Sequence, residues 1–193
     1  MSRLSPSFVL AYHGCDAAIA ERIFKGLETV KPSSNDYDWL GSGAYFWEAD
    51  FDRALHWAQD QVKLKRYKIP AVVGAVIDLG NCLNLSTQEG IGLLKDAYQS
   101  YRKIRTKGGQ PLAVNKDPAS IKDGDKLLRR LDNAVIERLH LIFKASGLPE
   151  FDTVRGMLRE GAPIYEGAGF WERTHVQIAV RNPASVIGYF RPR

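Results

Sequence analysis

The stretch that most constrains this chain is residues 38–58, Asp-Trp-Leu-Gly-Ser-Gly-Ala-Tyr-Phe-Trp-Glu-Ala-Asp-Phe-Asp-Arg-Ala-Leu-His-Trp-Ala. Gly41-Ser42-Gly43 lets the backbone turn tightly and come close to another group. Ala44-Tyr45-Phe46-Trp47 has strand character. Asp50 or Asp52 then caps a helix carrying Ala54, Leu55, Ala58 and Val62. A glycine turn, an aromatic strand and a capped helix in so few residues make one wall of a ligand pocket.

Length and composition set the frame around that wall. The 193 residues fit one domain, 45% hydrophobic and 25% charged, with ample material for a core. No run of 18 or more apolar residues spans a membrane. The start, Met1-Ser2-Arg3-Leu4-Ser5-Pro6, lacks the apolar region of a signal peptide, and a cytoplasmic protein is expected. Cys15 and Cys82 stand apart, outside any Cys-x-x-Cys pattern, so free thiols and no metal site are expected. The net charge of +5 and pI near 9.2 suit an anionic partner without requiring one.

In chain order, residues 8–14 read as a buried strand surfacing at His13, and Asp16 caps a helix over 17–25 closed by Gly26. Residues 28–37 read as a loop. A basic tail, 63–68, precedes a strand over 71–78. Ser86 caps a helix reaching about Ile104, residues 106–125 form a surface excursion, and 126–145 carry Leu128, Leu131, Val135, Leu139 and Ile142 at helical spacing. Residues 86–147 therefore read as a helical insertion in a single domain. A short strand at 151–154, a loop over 156–174, an alternating strand at 175–180 and a last strand at 184–190 complete an α+β chain.

Tyr12-His13-Gly14, Gly26-Leu27, Gly41-Ser42-Gly43-Ala44-Tyr45-Phe46 and Arg53-Ala54, followed by Gly74-Ala75-Val76 with Leu79-Gly80-Asn81 and by residues 174–189, resemble the diphtheria-toxin and poly-ADP-ribose-polymerase branch of the ADP-ribosyltransferases. The likeness covers roughly residues 7–83 and 150–190. It implies two small packed sheets around a cleft for NAD, which is the substrate, with no metal. A His-Tyr-Glu triad marks that branch, and its catalytic roles fall on His13, Tyr45 and Gln177. By the same resemblance His13 holds the adenine-side ribose, Gly14 beside Tyr12 meets the nicotinamide amide, and Tyr45 stacks on the nicotinamide ring. A cationic ring over an aromatic face is attracted to it, which gives Tyr45 a physical reason to be there.

Three positions depart from the pattern. The second stacking tyrosine is His56, with Trp57 beside it. The serine that binds the amide is Arg53, and the glutamate is Gln177. Cleaving the nicotinamide–ribose bond builds positive charge on the ribose, which a carboxylate stabilises and a glutamine does not. Glu160, Glu166 and Glu172 in the preceding loop are the substitutes within reach in sequence.

The same loop carries Arg155, Arg159 and Arg173 among Tyr165, Phe170 and Trp171. Arginines interleaved with aromatics suit single-stranded nucleic acid, so Arg155, Arg159 and Glu160 are the expected acceptor-binding residues. Basic clusters at 63–68, 102–107 and 122–130 agree. The expected activity is mono-ADP-ribosylation of a macromolecule, nucleic acid (RNA foremost) ahead of protein, with nicotinamide released. Few carboxylates in the site suit a base amino group as acceptor. A free-standing domain of this kind resembles a toxin or phage-defence effector with an antitoxin partner. The rivals are a non-catalytic NAD or ADP-ribose binding module and the related NAD-dependent RNA 2′-phosphotransferase.

Overall fold

A computed structural model describes residues 8–117 and 127–193 of the chain. The N-terminal segment before Phe8, the second half of the 106–125 excursion, the first residue of the expected 126–145 helix and most of the 122–130 basic cluster lie outside the described residues.

Among the described residues seven strands form one sheet: β1 (Phe8–Asp16), β2 (Ala44–Glu48), β3 (Pro70–Asp78), β4 (Cys82–Asn84), β5 (Thr153–Leu158), β6 (His175–Val180) and β7 (Val186–Phe190). Their order is β4-β5-β6-β2-β1-β3-β7. All neighbours are antiparallel except β4 and β5. Among the described residues four α-helices pack on it: α1 (Ala17–Phe24), α2 (Phe51–Lys63), α3 (Gln88–Lys107) and α4 (Arg130–Ala145). The mixed α and β content agrees with the α+β reading, but the expected pair of sheets is one hydrogen-bonded sheet. Its narrowest seam is β1–β2, joined at Ala11↔Glu48 and Tyr12↔Trp47, whereas β1–β3 pairs along its whole length from Phe8↔Asp78 to Asp16↔Pro70.

Local signals explain the helix starts. Asp16 accepts from Ala18 N at 3.0 Å and Asp50 from Arg53 N at 2.9 Å, so Asp50 rather than Asp52 is the cap of α2. Thr87, not Ser86, caps α3 through Gly90 N, and the helix runs three residues past Ile104. Helix α4 starts at Arg130 rather than at 126, because Leu128 pairs with Lys116 in an isolated bridge. Asn115, fifteen residues upstream of Arg130, accepts from Leu131 N at 2.8 Å. That distant cap has no local signature. Strand β5 extends to Leu158, pairing with β6 as far as Leu158↔His175, so the following loop is confined to 159–174.

Apolar surface is buried on both faces of the sheet. Phe46, Val73, Ile77 and Ile178 are covered by Ala20 and Ile23 of α1. On the other face Leu83, Val154 and Ala179 meet Ala97 of α3 and Val135, Ile136 and Leu139 of α4. Helices α3 and α4 of the 86–147 region thus cover half of the sheet. Helix α2 sits against β1 and β3, where a Cβ on Gly14 would stand 2.2 Å from Ala54 O. Gly14→Ala is expected to cost roughly 3 kcal/mol, since backbone must move to admit the methyl; urea denaturation measures it, and a cost below about 1 kcal/mol would mean α2 shifts freely.

His140 is buried at 4% exposure between α4 and Phe151, with both ring nitrogens lacking a partner among the described residues. Burial first, and then the Arg181 charge, push its pKa down to about 4. The unfolded chain takes up a proton near 6.5 while the folded one does not, so stability falls as pH drops from 6.5 towards 4. At pH 5 the loss due to this residue is about 2 kcal/mol. His140→Leu is expected to remove that share of the acid sensitivity when unfolding is compared at pH 7 and pH 5, leaving the slope due to His13 and His175, whose pKa values burial also lowers.

Candidate functional site

The main cavity is a cleft of about 580 Å³, within the range of small-molecule sites. Its walls come from the end of β1 (His13), from β2 (Tyr45, Trp47), from α2 (Arg53, Trp57, Gln61), from β6 (His175, Gln177), from Leu158 and Glu160, and from the 31–39 loop. On β2, β6 and β5 the register aligns Trp47, Gln177 and Gly156 on one face.

Gly156 makes room for the cleft's floor. A Cβ there would lie 2.9 Å from the Trp39 ring, so glycine lets the indole lie across β5. Trp39 Nε1 then donates to Gln177 Oε1 at 2.6 Å. Gln177 is 8% exposed and lines the cleft, its side-chain oxygen accepting the indole N–H.

Trp39 is held by its loop. The Tyr45 hydroxyl accepts from Leu40 N at 3.0 Å and donates to Gly41 O at 2.8 Å. Burial raises its pKa far above the ordinary tyrosine value. Glu137 of α4 accepts from Ser42 N at 2.6 Å and from Arg181 Nη1 at 3.0 Å, and Arg181 also donates to Ser42 O. Burial pushes the Glu137 carboxyl up, but these bonds outweigh it and hold the group below its usual range. Gly41 has φ +77, and a Cβ would strike Glu137 Oε1 and Ile136, so both its backbone and its space demand glycine.

His13 Nδ1 lies 2.8 Å from Tyr45 O, so that nitrogen carries the proton and Nε2 is an acceptor. Burial lowers its pKa and keeps the ring neutral. Arg53 Nη2 meets Glu160 at 2.7 Å with both side chains 12% exposed, and Arg173 reaches Glu160 at 3.5 Å. Glu160 and Arg173 also wall an adjoining cavity of about 480 Å³, and Arg53 and Arg173 another of about 300 Å³. Among the described residues no group of histidine, cysteine and acidic side chains could hold a metal ion.

The expected site residues separate into two groups. His13, Tyr45, Gln177, Arg53 and Glu160 meet in the cleft. Tyr12 instead packs edge-on against Phe51 and Phe190, and Gly14 is buried under Ala54. His56 faces the smaller adjoining cavity, and its neighbour Trp57 lines the cleft. Arg155 lies on β5 on the face opposite Gln177, held by both oxygens of Glu48 at 2.6 and 2.9 Å, so it does not face the cleft. Arg159 stacks 4.1 Å over Trp171 on the exposed loop, Glu166 is exposed, and Glu172 walls the two adjoining cavities.

Trp39, Trp47 and His175 take strand or turn positions but no site role from the sequence, although three of the four tryptophans stand within residues 38–58. Their crowding was the available signal. Free thiols are found at Cys15 and Cys82, and no helix among the described residues is long and apolar enough to cross a membrane.

No protein-family description matches this chain, and no solved structure matches it. It is similar to an uncharacterised protein of Methanocaldococcus jannaschii, 46% identical over 46 residues, which is 24% of this chain and 21% of that protein. The likeness thus spans about a fifth of the relative.

The loop over residues 38–43 is the testable part of this geometry. Glu137→Ala is expected to destabilise the fold by about 2 kcal/mol and to speed amide hydrogen exchange at Ser42. Tyr45→Phe should speed exchange at Leu40 while sparing Ser42. Unchanged exchange in both variants would mean the loop is held by other contacts.

Proposed function

We propose that the protein is an NAD-dependent mono-ADP-ribosyltransferase. The observation that carries this reading is the convergence of His13, Tyr45 and Gln177, far apart in sequence, on one cleft. His13 Nε2 is left as an acceptor for a ribose hydroxyl. The Tyr45 ring packs on the core cluster of Leu40 and Ala179 and also lines the cleft, and its cleft side is the surface for the nicotinamide face. Arg159 stacked on Trp171, with exposed Tyr165 and Phe170, supports a single-stranded nucleic acid as acceptor. A toxin or defence role with a restraining antitoxin remains part of this proposal, as does a cytoplasmic setting.

One observation favours the binding-module alternative. Gln177 brings no charge, and the cleft's Glu160 is already paired with Arg53. Labelled NAD offered with RNA, single-stranded DNA or protein separates the two. Transfer to one polymer, lost at least about 10-fold in Tyr45→Ala, supports the transferase. Gln177→Glu keeps the Trp39 bond and adds a carboxylate, and is expected to raise nicotinamide release about 10-fold. NAD bound without release by either protein would favour the binding module.

A further inference from the structure

Three cleft side chains carry a buried polar atom with no partner among the described residues: Trp47 Nε1, Arg53 Nε and His175 Nε2. Trp47 and His175 are 4% and 5% exposed. Their ring centroids lie 6.3 Å apart, and the Arg53 guanidinium sits 5.5 Å over the Trp47 ring. Leaving one such group unpaired costs on the order of 1–3 kcal/mol, so three in one wall make a polar spot that a ligand would stabilise; each nitrogen has under 1 Å² of accessible surface, so the side chains must turn for a ligand to reach it.

The set has a definite polarity. Indole and guanidinium N–H groups only donate. His175 Nδ1 lies 2.6 Å from Arg173 O and so carries the proton, which leaves a lone pair on Nε2. Two donors and one acceptor match a hydroxyl, which has two lone pairs and one proton. A phosphate or carboxylate brings no proton for His175, and an ammonium brings no lone pair. An amine has a single lone pair for two donors.

We propose that Trp47, Arg53 and His175 form a hydroxyl subsite in which His175 Nε2 is the general base for the nucleophile that attacks NAD, making the acceptor an alcohol or water rather than a base amino group. The inference rests on the NAD reading. His175 stands two residues before Gln177 on the same face of β6. In the step, the hydroxyl proton passes to His175 Nε2 and the oxygen bonds to ribose C1′. The C1′–nitrogen bond breaks, its electron pair stays on the nicotinamide ring and cancels the positive charge, and the imidazolium returns its proton to solvent. Atoms and charge balance.

The groups facing His175 keep it neutral and able to accept. Burial acts first, and the Arg53 charge on α2 adds to it, against the Arg173 carbonyl, Glu160 from the loop after β5 and Asp50 at the start of α2. Its pKa is therefore below the ordinary histidine value.

The test compares the full chain with His175→Gln and Trp47→Phe, using NAD in water, with added methanol, and with single-stranded RNA. Free ADP-ribose, its methyl glycoside and RNA-linked label report water, a small alcohol and a polymer hydroxyl respectively. The wild type is expected to speed up with pH through an inflection below 6.5 and then level off. His175→Gln should lower kcat roughly 100-fold and remove the inflection with KM for NAD little changed. An unaltered kcat and pH profile in His175→Gln, with NAD cleavage intact, overturns the inference alone. No cleavage by the wild type with any acceptor overturns both readings. Nitrogen NMR of the His175 ring without NAD tests the subsite by itself. An Nδ1-protonated ring whose Nε2 resonance moves on adding methanol supports it; an Nε2-protonated tautomer refutes it.

Discussion

The cleft depends on one half-buried carboxylate. Glu137 lies on a helix distant in sequence from every cleft strand, yet it fixes Ser42 and, through Arg181, the backbone beside it. The Tyr45 hydroxyl closes the same loop from the other side. Between these two anchors the backbone of Leu40 and Gly41 has little freedom, and Trp39 is carried to where its indole meets Gln177. A charge-assisted bond to a backbone N–H is stronger than a neutral one, so this anchor is well suited to hold an irregular segment open. The remote helix thereby acquires a role in the site without touching a ligand.

Packing and site geometry share residues at close quarters. Gly14 lets α2 approach β1, and that approach brings Arg53, Trp57 and Gln61 to the cleft. Gly156 does the equivalent for Trp39. At the β1–β2 seam only Ala11↔Glu48 and Tyr12↔Trp47 pair, and beyond it the His13 ring takes over by bonding to Tyr45 O. The histidine is a crosslink between two strands as well as a cleft wall.

Much of this was legible because it is local. Asp16, Asp50, the alternation of residues 175–180 and the glycine turn at 41–43 carry their instructions within a few residues. What was illegible is set by distance. The start of α4 depends on Asn115, and the end of β5 on its pairing with His175. Arg155 read as a loop residue because residues 153–158 alternate weakly; as part of β5 it necessarily faces away from Gln177. His56 and Trp57 differ by one position, about 100° around a helix, and that rotation decides which of them meets the cleft.

The electrostatics of the cleft narrow the chemistry it can support. Gln177 is neutral, with its oxygen bonded to Trp39, and Glu160 is compensated by Arg53 and Arg173. Asp38, the other carboxylate in the cleft wall, is engaged by the Ser33 hydroxyl and the Asn35 backbone within its own loop. Both cleft histidines have Nδ1 committed to a backbone carbonyl and are kept neutral by burial. The negative charge of the cleft is thus tied up in ion pairs and loop hydrogen bonds. On the proposed reading the site must draw instead on aromatic stacking, on positioned neutral acceptors and on a nucleophile deprotonated as it attacks. His175, with a lone pair beside two unpaired donors, is the group in the cleft whose protonation state and surroundings suit that last task.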